Sequence, residues 1–400
     1  GFNIYTTLIP SVQETAQDTL TQQVARLVDT GVNTGSVMVT DPNTGAIRAM
    51  VGSPDFGNEE IAGQVDNTRT WQQPGSSIKP ITYTAAIAGV NGEYLTPSSI
   101  LWDVPSTYNI NGSVYSPVNY DRRYHGPSPV RLALQNSYNV AAVKAYEFVG
   151  QEAFVDMATR LGLKFLPEAV FGLPSAVGAN EVRLIDMMQA YGTLANGGQR
   201  VSLYAIERIT ETDPTGGGAE LDVPLEMRPE PEMAVSPQAA YVMQNILSDD
   251  SARAEQFGTN GNLTLARLGI PTQNTVAAKT GTSNDSRDLW TMGFTSNAVV
   301  GVWLGTYDNQ PTFNTSGSTA AAPVWNRVME AAVAGRPPQT FQNPGGVVVI
   351  DVCRNTGTQL GQDCPNPTRD LAIQNQLPPP ASQGFVQNIA VHTWSGLSAN

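Results

Sequence analysis

Strand-forming segments lie at both ends of the first 335 residues of this chain, and a mostly helical stretch over 76–200 separates them. The strand segments are residues 36–40, 46–51, 274–282, 289–295 and 298–305. The turn at 41–45 contains Asp, Pro, Asn and Gly, which favour a tight reversal between the first two strands. This order predicts an α/β fold of the α+β type. We expect one antiparallel sheet of about five strands flanked by helices, with an inserted all-helical subdomain.

Composition and pattern divide the chain into three parts. Residues 1–35 supply a strand and a helix that lead into the main domain, which covers residues 36–335. Residues 336–400 form a small, loosely built extension rich in Pro, Asn and Gly. Its two cysteines, Cys353 and Cys364, are compatible with one local disulfide in an oxidising compartment and, nearly equally, with two free thiols.

The charge balance argues against nucleic-acid binding, and the composition bears on the location of the protein. The net charge is −13, whereas binding to phosphates needs a basic face, so we expect no nucleic-acid partner. Charged residues make up only 14% of the chain, below the level of typical globular proteins, which weakly favours an extracytoplasmic location. The sequence has no long apolar run and no basic-then-apolar leader, so we expect any anchor or signal to lie upstream.

Lysine is scarce in this chain, and half of it lies in short polar motifs. Of the four lysines, Lys79 and Lys279 lie beside Ser or Thr-Gly, and the other two lie in ordinary helical segments. Arginine carries the remaining basic charge, but it keeps its proton and cannot act as a base. The two histidines, His125 and His392, fit neither a catalytic triad nor a metal site, so we expect no metal and no cofactor.

The first motif is Ser76-Ser77-Ile78-Lys79, which precedes a helical run. Residues i and i+3 share a helix face, so the Ser76 hydroxyl and the Lys79 amine can meet. A buried lysine near other cations loses proton affinity and can activate a serine. Alone, this motif is a weak signal, because a solvated lysine in a first helical turn has the same pattern.

The second motif, Ser137-Tyr138-Asn139, supplies a hydroxyl that can pass a proton and an amide that can hold a peptide. Alone it is also weak, since Ser-x-Asn is common in turns.

The third motif is the specific one. Lys279-Thr280-Gly281-Thr282 follows a strand, and the Lys279 amine and Thr hydroxyls can form a carboxylate-binding cluster. We expect Gly281 to let a ligand backbone approach closely, and the strand edge to pair with a substrate peptide. All three motifs in this order are hard to obtain by chance.

Together, the motifs resemble the signature of active-site-serine penicillin-binding proteins and β-lactamases. More of the chain is similar to the transpeptidase domain of class A penicillin-binding proteins, the peptidoglycan synthases. The similarity is carried by residues 73–80, 181–198, 288–295 and 299–305 and covers about residues 1–335. It implies a β-lactamase/transpeptidase-like fold for residues 36–335. The glycosyltransferase domain and membrane anchor usual in that family are absent from this chain and expected upstream.

The resemblance also implies a mechanism. Ser76 is the nucleophile, Lys79 is its base, and Ser137 relays a proton toward the leaving amine with help from Lys279. The expected activity is that of a D,D-transpeptidase, which cross-links peptidoglycan stem peptides ending in D-Ala-D-Ala through a serine acyl-enzyme. β-Lactams would acylate the same serine and stay there. The expected location is the outer face of the bacterial cytoplasmic membrane.

Substrate contacts are implied for the remaining motif residues. Asn139 would hydrogen-bond the substrate amide, and Thr280 and Thr282, beside Gly281, would bind its terminal carboxylate. The backbone N–H groups of Ser76 and Thr282 would form the oxyanion hole.

Several alternatives stay open. A D,D-carboxypeptidase would use water as the acceptor, and a class A β-lactamase would need a glutamate such as Glu152, Glu168 or Glu181 to activate water. We disfavour Glu181, which matches a structural helix start in the family. A penicillin sensor without turnover and a non-catalytic scaffold are weaker alternatives. The acceptor amine and the role of the loop at 213–231 are not readable from the sequence.

Overall fold

A computed structural model describes most of the chain. The described residues are 2–110, 112–212, 220–225 and 227–381. Residues 213–219 and 226 of the loop predicted at 213–231, together with His392 and the last part of the C-terminal extension, lie outside these ranges.

The secondary structure of these residues comprises short and medium helices and mostly short strands. The helices are α1 (Pro10–Arg26), α2 (Lys79–Ala88), α3 (Val130–Gln135), α4 (Asn139–Val149), α5 (Gln151–Leu161), α6 (Leu184–Ala195), α7 (Pro237–Leu247), α8 (Ala254–Phe257) and α9 (Ala322–Val333). The strands are β1 (Phe2–Thr6), β2 (Thr34–Thr40), β3 (Ile47–Val51), β4 (Ile100–Asp103), β5 (Tyr108–Ile110), β6 (Ser113–Tyr115), β7 (Gly126–Pro129), β8 (Gln199–Arg200), β9 (Ile206–Thr212), β10 (Glu220–Val223), β11 (Glu232–Met233), β12 (Ala277–Thr282), β13 (Leu289–Phe294), β14 (Val299–Gly305), β15 (Val347–Cys353) and β16 (Pro367–Ile373).

The central sheet has five strands in the order β12-β13-β14-β2-β3, and every neighbouring pair is antiparallel. Strands from the two ends of the domain meet where β14 pairs with β2, for example at Val300 and Val39. The prediction of one antiparallel sheet built from both ends, with a helical block between, is therefore confirmed.

Both faces of the sheet are covered, because successive side chains on each strand point to opposite sides. On β2, Val37 and Val39 pack with α1 and α9, whereas Met38 between them packs with the inserted helical block. Burial on both faces explains why β2, β13 and β14 are apolar along almost their whole length. The edge strand β12 is left facing the helical block, and this edge is where the predicted third motif lies.

Two local predictions need correction. The helix that was expected to start at Glu181 begins at Leu184 instead. The reason is that Val182 forms an antiparallel bridge with Gln72, which requires extended backbone just before the helix. The described residues of the stretch over 76–200 also contain five short strands: β4 pairs with β7, β5 pairs with β6, and β8 pairs with β11.

The C-terminal extension is more ordered than expected. Its strands β15 and β16 pair over seven residues each, and Cys353 and Cys364 form a disulfide. Leu371 and Ile373 of β16 pack against the core between the sheet and the helical block. The extension is thus docked on the main body through part of that core.

Within the described ranges, the helices are all too short or too polar to span a bilayer.

Candidate active site

The first motif lies in a tight turn that runs directly into a helix. Ser76 belongs to a 3₁₀ turn over Gly75–Ile78, and α2 begins at Lys79. Gly75 has a φ of +52°, and a Cβ atom on it would lie 2.4 Å from the carbonyl oxygen of Thr282. Only glycine tolerates both conditions, so Gly75 brings the Ser76 turn against the end of β12.

The amine of Lys79 is fully buried and points at the second motif. Its Nζ donates to the carbonyl oxygen of Ser137 at 2.6 Å and to Asn139 Oδ1 at 2.7 Å, and it lies 3.3 Å from Ser137 Oγ. Burial lowers the pKa of Lys79 well below its usual value, the charge of Lys279 lowers it further, and the carboxylate of Asp103 opposes both. A buried amine of lowered pKa can accept a proton near neutral pH.

The amine of Lys279 approaches the same hydroxyl from the sheet. Its Nζ donates to Ser137 Oγ at 2.8 Å and to the carbonyl oxygen of Thr280 at 3.0 Å. Burial lowers the pKa of Lys279 to about 7, and the positive charge of Arg253 acts in the same direction. Ser137 Oγ is therefore within hydrogen-bond distance of two lysine amines that the sequence places 200 residues apart.

The Ser137 turn is held in an unusual conformation between α3 and α4. Ser137 has a φ of +63°, which residues other than glycine rarely adopt. Neighbouring side chains fix it: Asn136 Nδ2 donates to the carbonyl oxygen of Ala252 at 2.8 Å, and Asn119 Oδ1 accepts from the N–H of Asn139 at 2.7 Å. Such strain at a polar turn is typical of functional sites.

A cleft of about 110 Å³ opens in front of these groups. Its walls include the predicted residues Ser76, Ser137, Asn139, Thr280 and Thr282. The further lining residues are Asn119, Tyr120, Asp121, Asn136, Tyr138, Val177, Gln256, Phe257, Asn284, Ser316 and Ser318. The structure thus brings all three motifs to one cavity.

A second hollow of about 210 Å³ adjoins this cleft. Asn139, Val177 and Asn284 line both hollows, and Tyr115, Pro117 and Pro174 are among the residues that line only the second. The site therefore has two connected lobes, with Asn139 at their border.

Gly281 packs closely against the chain's own backbone. A Cβ atom at this position would lie 2.3 Å from the carbonyl oxygen of Pro74 and 3.0 Å from the amide nitrogen of Ser77. The chain's own Ser76 turn therefore approaches Gly281 closely, and the approach of a ligand backbone stays a prediction. Gly281 packs the sheet edge onto that turn instead of lining the cleft.

Sequence reasoning missed a polar network beside the Ser137 turn. The buried carboxylate of Asp103 accepts from Asn119 Nδ2 at 2.7 Å, and its Oδ2 lies 2.6 Å from His125 Nδ1. The ring of His125 stacks on Tyr138 at 3.8 Å between centroids, and the Tyr138 hydroxyl donates to Glu255 Oε2 at 2.9 Å. No pattern in the sequence marks these residues, because their contacts join separate loops.

Arg253 was missed as well. Its side chain is buried, its Nη2 donates to the carbonyl oxygen of Leu247 at 2.7 Å, and its Nε lies 3.7 Å from Asp250 Oδ1. Neither its Nε nor its Nη1 forms a hydrogen bond with the described residues. Burial lowers the pKa of Arg253 to about 10, so it still carries its charge at neutral pH beside Lys279.

Three kinds of comparison with known proteins find similar sequences and folds. The family model of the penicillin binding protein transpeptidase domain matches residues 35–330. The chain is 33% identical over 320 residues to penicillin-binding protein 1A of Neisseria lactamica, a match that covers 78% of this chain and 38% of that relative. The chain thus spans well under half the length of that curated relative.

Solved structures share the fold. The crystal structure of penicillin-binding protein 1A from Haemophilus influenzae matches with a TM-score of 0.78 at 20% identity, over 94% of this chain and 73% of that one. The PonA1 protein from Mycobacterium tuberculosis, in complex with penicillin V, matches with a TM-score of 0.66 at 21% identity, over 86% of this chain and 89% of that one.

Proposed function

Because the chain belongs to the penicillin binding protein transpeptidase domain family, we propose that it is a D,D-transpeptidase that cross-links peptidoglycan stem peptides through an acyl-enzyme on Ser76. Residues 36–335 form the catalytic domain in this proposal. The enzyme acts on the outer face of the bacterial cytoplasmic membrane, on stem peptides ending in D-Ala-D-Ala, and β-lactams acylate it covalently.

One observation carries the proposal. Ser137 Oγ lies 2.8 Å from the Nζ of Lys279 and 3.3 Å from the Nζ of Lys79, and Ser76 lines the same cleft as Ser137. Two buried amines of lowered pKa beside the Ser137 hydroxyl, in a cleft that Ser76 also lines, supply both a proton acceptor and a proton relay.

Acylation proceeds in two stages. Ser76 Oγ attacks the carbonyl carbon of the penultimate D-Ala while Lys79 Nζ takes the hydroxyl proton, and the carbonyl oxygen becomes an oxyanion. The N–H groups of Ser76 and Thr282 stabilise this oxyanion by about 3 kcal/mol each. The C–N bond then breaks, and the leaving D-Ala nitrogen receives a proton through Ser137 Oγ and Lys279.

Transfer to the acceptor reverses these proton movements. The amine of a neighbouring stem peptide attacks the acyl carbon and gives up a proton through Ser137, and the C–O bond to Ser76 breaks as its oxygen regains a proton from Lys79. The products are one new amide bond and the free enzyme. No metal or cofactor takes part in this scheme.

Thr280, Thr282 and Asn139 recognise the substrate in this scheme. Thr280 and Thr282 line the cleft next to Lys279 and bind the terminal carboxylate, with the lysine's charge in support. Asn139, at the border of the two lobes, hydrogen-bonds the substrate amide.

Hydrolysis of β-lactams is the less favoured activity. Glu152, Glu168 and Glu181 are not among the residues that line the described cleft, whose one acidic lining residue is Asp121. A class A β-lactamase needs a glutamate placed to activate the deacylating water. We therefore expect the penicilloyl adduct on Ser76 to be long-lived.

The test is incubation with a synthetic pentapeptide ending in D-Ala-D-Ala, with and without an amine acceptor, followed by mass spectrometry. We expect D-Ala release and an amide product that requires the acceptor, both lost in Ser76→Ala and retained in the control Lys144→Ala. Release of D-Ala with water as the sole acceptor would establish a carboxypeptidase instead. Absence of D-Ala release, with a stable penicilloyl adduct, would establish a penicillin sensor.

A further inference from the structure

An ion pair between Asp370 and Arg131 joins the C-terminal hairpin β15–β16 to helix α3, which lies just before the Ser137 turn. Arg131, in the first turn of α3, donates from its Nε to both carboxylate oxygens of Asp370 at 3.1 Å, and its Nη2 also contacts Asp370 Oδ1. The side chains of Arg131 and Asp370 are only 13% and 9% exposed. This pair is therefore largely shielded from solvent, unlike the typical surface ion pair.

The same guanidinium continues the network away from the hairpin. Arg131 Nη1 donates to Asp249 Oδ2 at 3.2 Å, and its Nη2 donates to Asn245 Oδ1 at 2.7 Å. Asp249 in turn organises the segment between α7 and α8, because its Oδ1 accepts from the N–H of Ala252 at 3.0 Å. Gln135, at the end of α3, donates to the carbonyl oxygen of Asp249 at 2.8 Å.

The segment between α7 and α8 also holds Asn136, the residue before Ser137, through two hydrogen bonds. The carbonyl oxygen of Ala252 accepts from Asn136 Nδ2 at 2.8 Å, and Asn136 Oδ1 accepts from the N–H of Gln256 at 3.1 Å. Asn136 directly precedes Ser137, whose φ of +63° needs support from its surroundings. A continuous path of polar contacts thus runs from the C-terminal hairpin to the turn that presents Ser137 Oγ to both lysines.

We propose that Asp370 is a positioning residue for acyl transfer, acting on Ser137 through Arg131 and Asp249. This inference rests on the proposed function and assigns a catalytic consequence to the C-terminal extension. Loss of the Asp370 carboxylate leaves the nearly buried Arg131 with Asp249 as its remaining charged partner. The guanidinium then shifts toward Asp249, and the segment that holds Asn136 moves with it.

The chain offers a matched control on the same hairpin. Asp351 of β15 pairs with Arg369 at 3.1 Å, but these side chains are 59% and 78% exposed. Asp351→Asn removes the same charge from the same extension without touching the path to Ser137.

The experiment is saturation kinetics of acylation by a fluorescent penicillin in the full chain. For Asp370→Asn we expect the maximum acylation rate to fall by about tenfold with an apparent dissociation constant within about twofold, since misplacing Ser137 affects the chemical step more than binding. Asp351→Asn should match the wild type in both constants. Equal maximum rates for the two variants would overturn the inference.

A second measurement separates positioning from general destabilisation. In a Ser137→Ala background, Asp370→Asn should cost less than about twofold in acylation rate, because the group it positions is gone. A further tenfold loss in that background would show that Asp370 does not act through Ser137. If Asp370→Asn does not fold, Arg131→Lys serves as the second variant. It keeps the positive charge but cannot hydrogen-bond Asp370 and Asp249 at the same time as the guanidinium does, so it must slow acylation several-fold. An unchanged rate in that variant would overturn the inference.

The outcomes also separate this inference from the proposed function. A wild-type chain that forms no adduct on Ser76 would refute the proposed function. A wild-type adduct, combined with equal rates in Asp370→Asn and Asp351→Asn, would refute the positioning role alone.

Discussion

A lysine lies on each side of the cleft, in different surroundings: Lys79 on the helical side (the helical wall) and Lys279 on the sheet side (the sheet wall). On the helical wall, Lys79 begins α2 and has three oxygens within hydrogen-bond distance of its amine. On the sheet wall, Lys279 lies on β12 and has two. Both lysines are buried, and both reach Ser137 Oγ.

Their charged neighbours differ in sign. The carboxylate of Asp103 opposes the lowering of the Lys79 pKa, whereas the guanidinium of Arg253 adds to the lowering of the Lys279 pKa. Two amines with different neighbours can hold different protonation states at one pH. In the proposed function, one fold thus obtains a base and a proton relay from one residue type.

The largest effect is expected on the helical wall. Lys79→Met should reduce the rate of acylation by fluorescent penicillin about 1,000-fold, because in the proposed function the Lys79 amine takes the proton of Ser76. Lys144→Met is the matched control, since Lys144 is partly exposed and pairs with Glu147 on α4. A loss below about tenfold in Lys79→Met would remove Lys79 as the base.

On the sheet wall, Lys279→Met should slow acylation about 100-fold and also remove a pH dependence of stability. The pKa of Lys279 is about 7 in the folded state, against 10.5 for an unperturbed lysine, so unfolding between these pH values takes up a proton. The stability of the wild type should therefore rise with pH across this window, relative to the variant. Denaturant unfolding at pH 7 and pH 9 measures this, and parallel changes in the two proteins would contradict it.

The contact between the walls can be broken at Gly281. In Gly281→Ala the new Cβ atom would lie 2.3 Å from the carbonyl oxygen of Pro74, so the strand and the Ser76 turn must separate. We expect a loss of about 1–3 kcal/mol in the free energy of unfolding and about tenfold in acylation rate. Gly261→Ala, whose Cβ atom would meet nothing within 4 Å, should have little effect on either. Wild-type behaviour of Gly281→Ala would show that this packing does not matter.

The smallest predicted effect concerns the charge behind the sheet wall. Arg253→Met removes a buried cation whose charge lowers the pKa of Lys279, so that pKa should rise in the variant. With four lysines in the chain, lysine-selective isotope labelling gives four amine signals that can be titrated by NMR. Arg267→Met, at an exposed arginine paired with Glu330, should leave the titration unchanged. A Lys279 pKa that does not move in Arg253→Met would contradict this difference between the walls.

Much of the fold and the motif residues could be predicted because their signals are local. Alternating and apolar strand patterns and the turn at 41–45 are enough to predict the sheet. The three motifs are short, and the polar chemistry of Ser76, Lys79 and Lys279 is visible in the residue types themselves. The five-stranded sheet is confirmed, while the catalytic roles remain predictions.

The remaining parts depend on contacts between distant segments. Asn136 meets Ala252 across 116 positions, and Arg131 meets Asp370 across 239, which no local pattern records. The packing of Gly281 against the carbonyl oxygen of Pro74 was not predicted either, because these residues are far apart in the sequence. The helix at Leu184 started later than expected because a bridge to Gln72 holds Val182 extended.

The most direct test of the central claim is peptide mapping of the wild-type chain after incubation with penicillin. If Lys79 activates the Ser76 hydroxyl while Ser137 and Lys279 pass the proton to the leaving group, mass spectrometry should find a single stoichiometric penicilloyl adduct. It should be located on Ser76 and stable over the time of the experiment. An adduct on another residue, or none at all in a folded chain, would contradict the account.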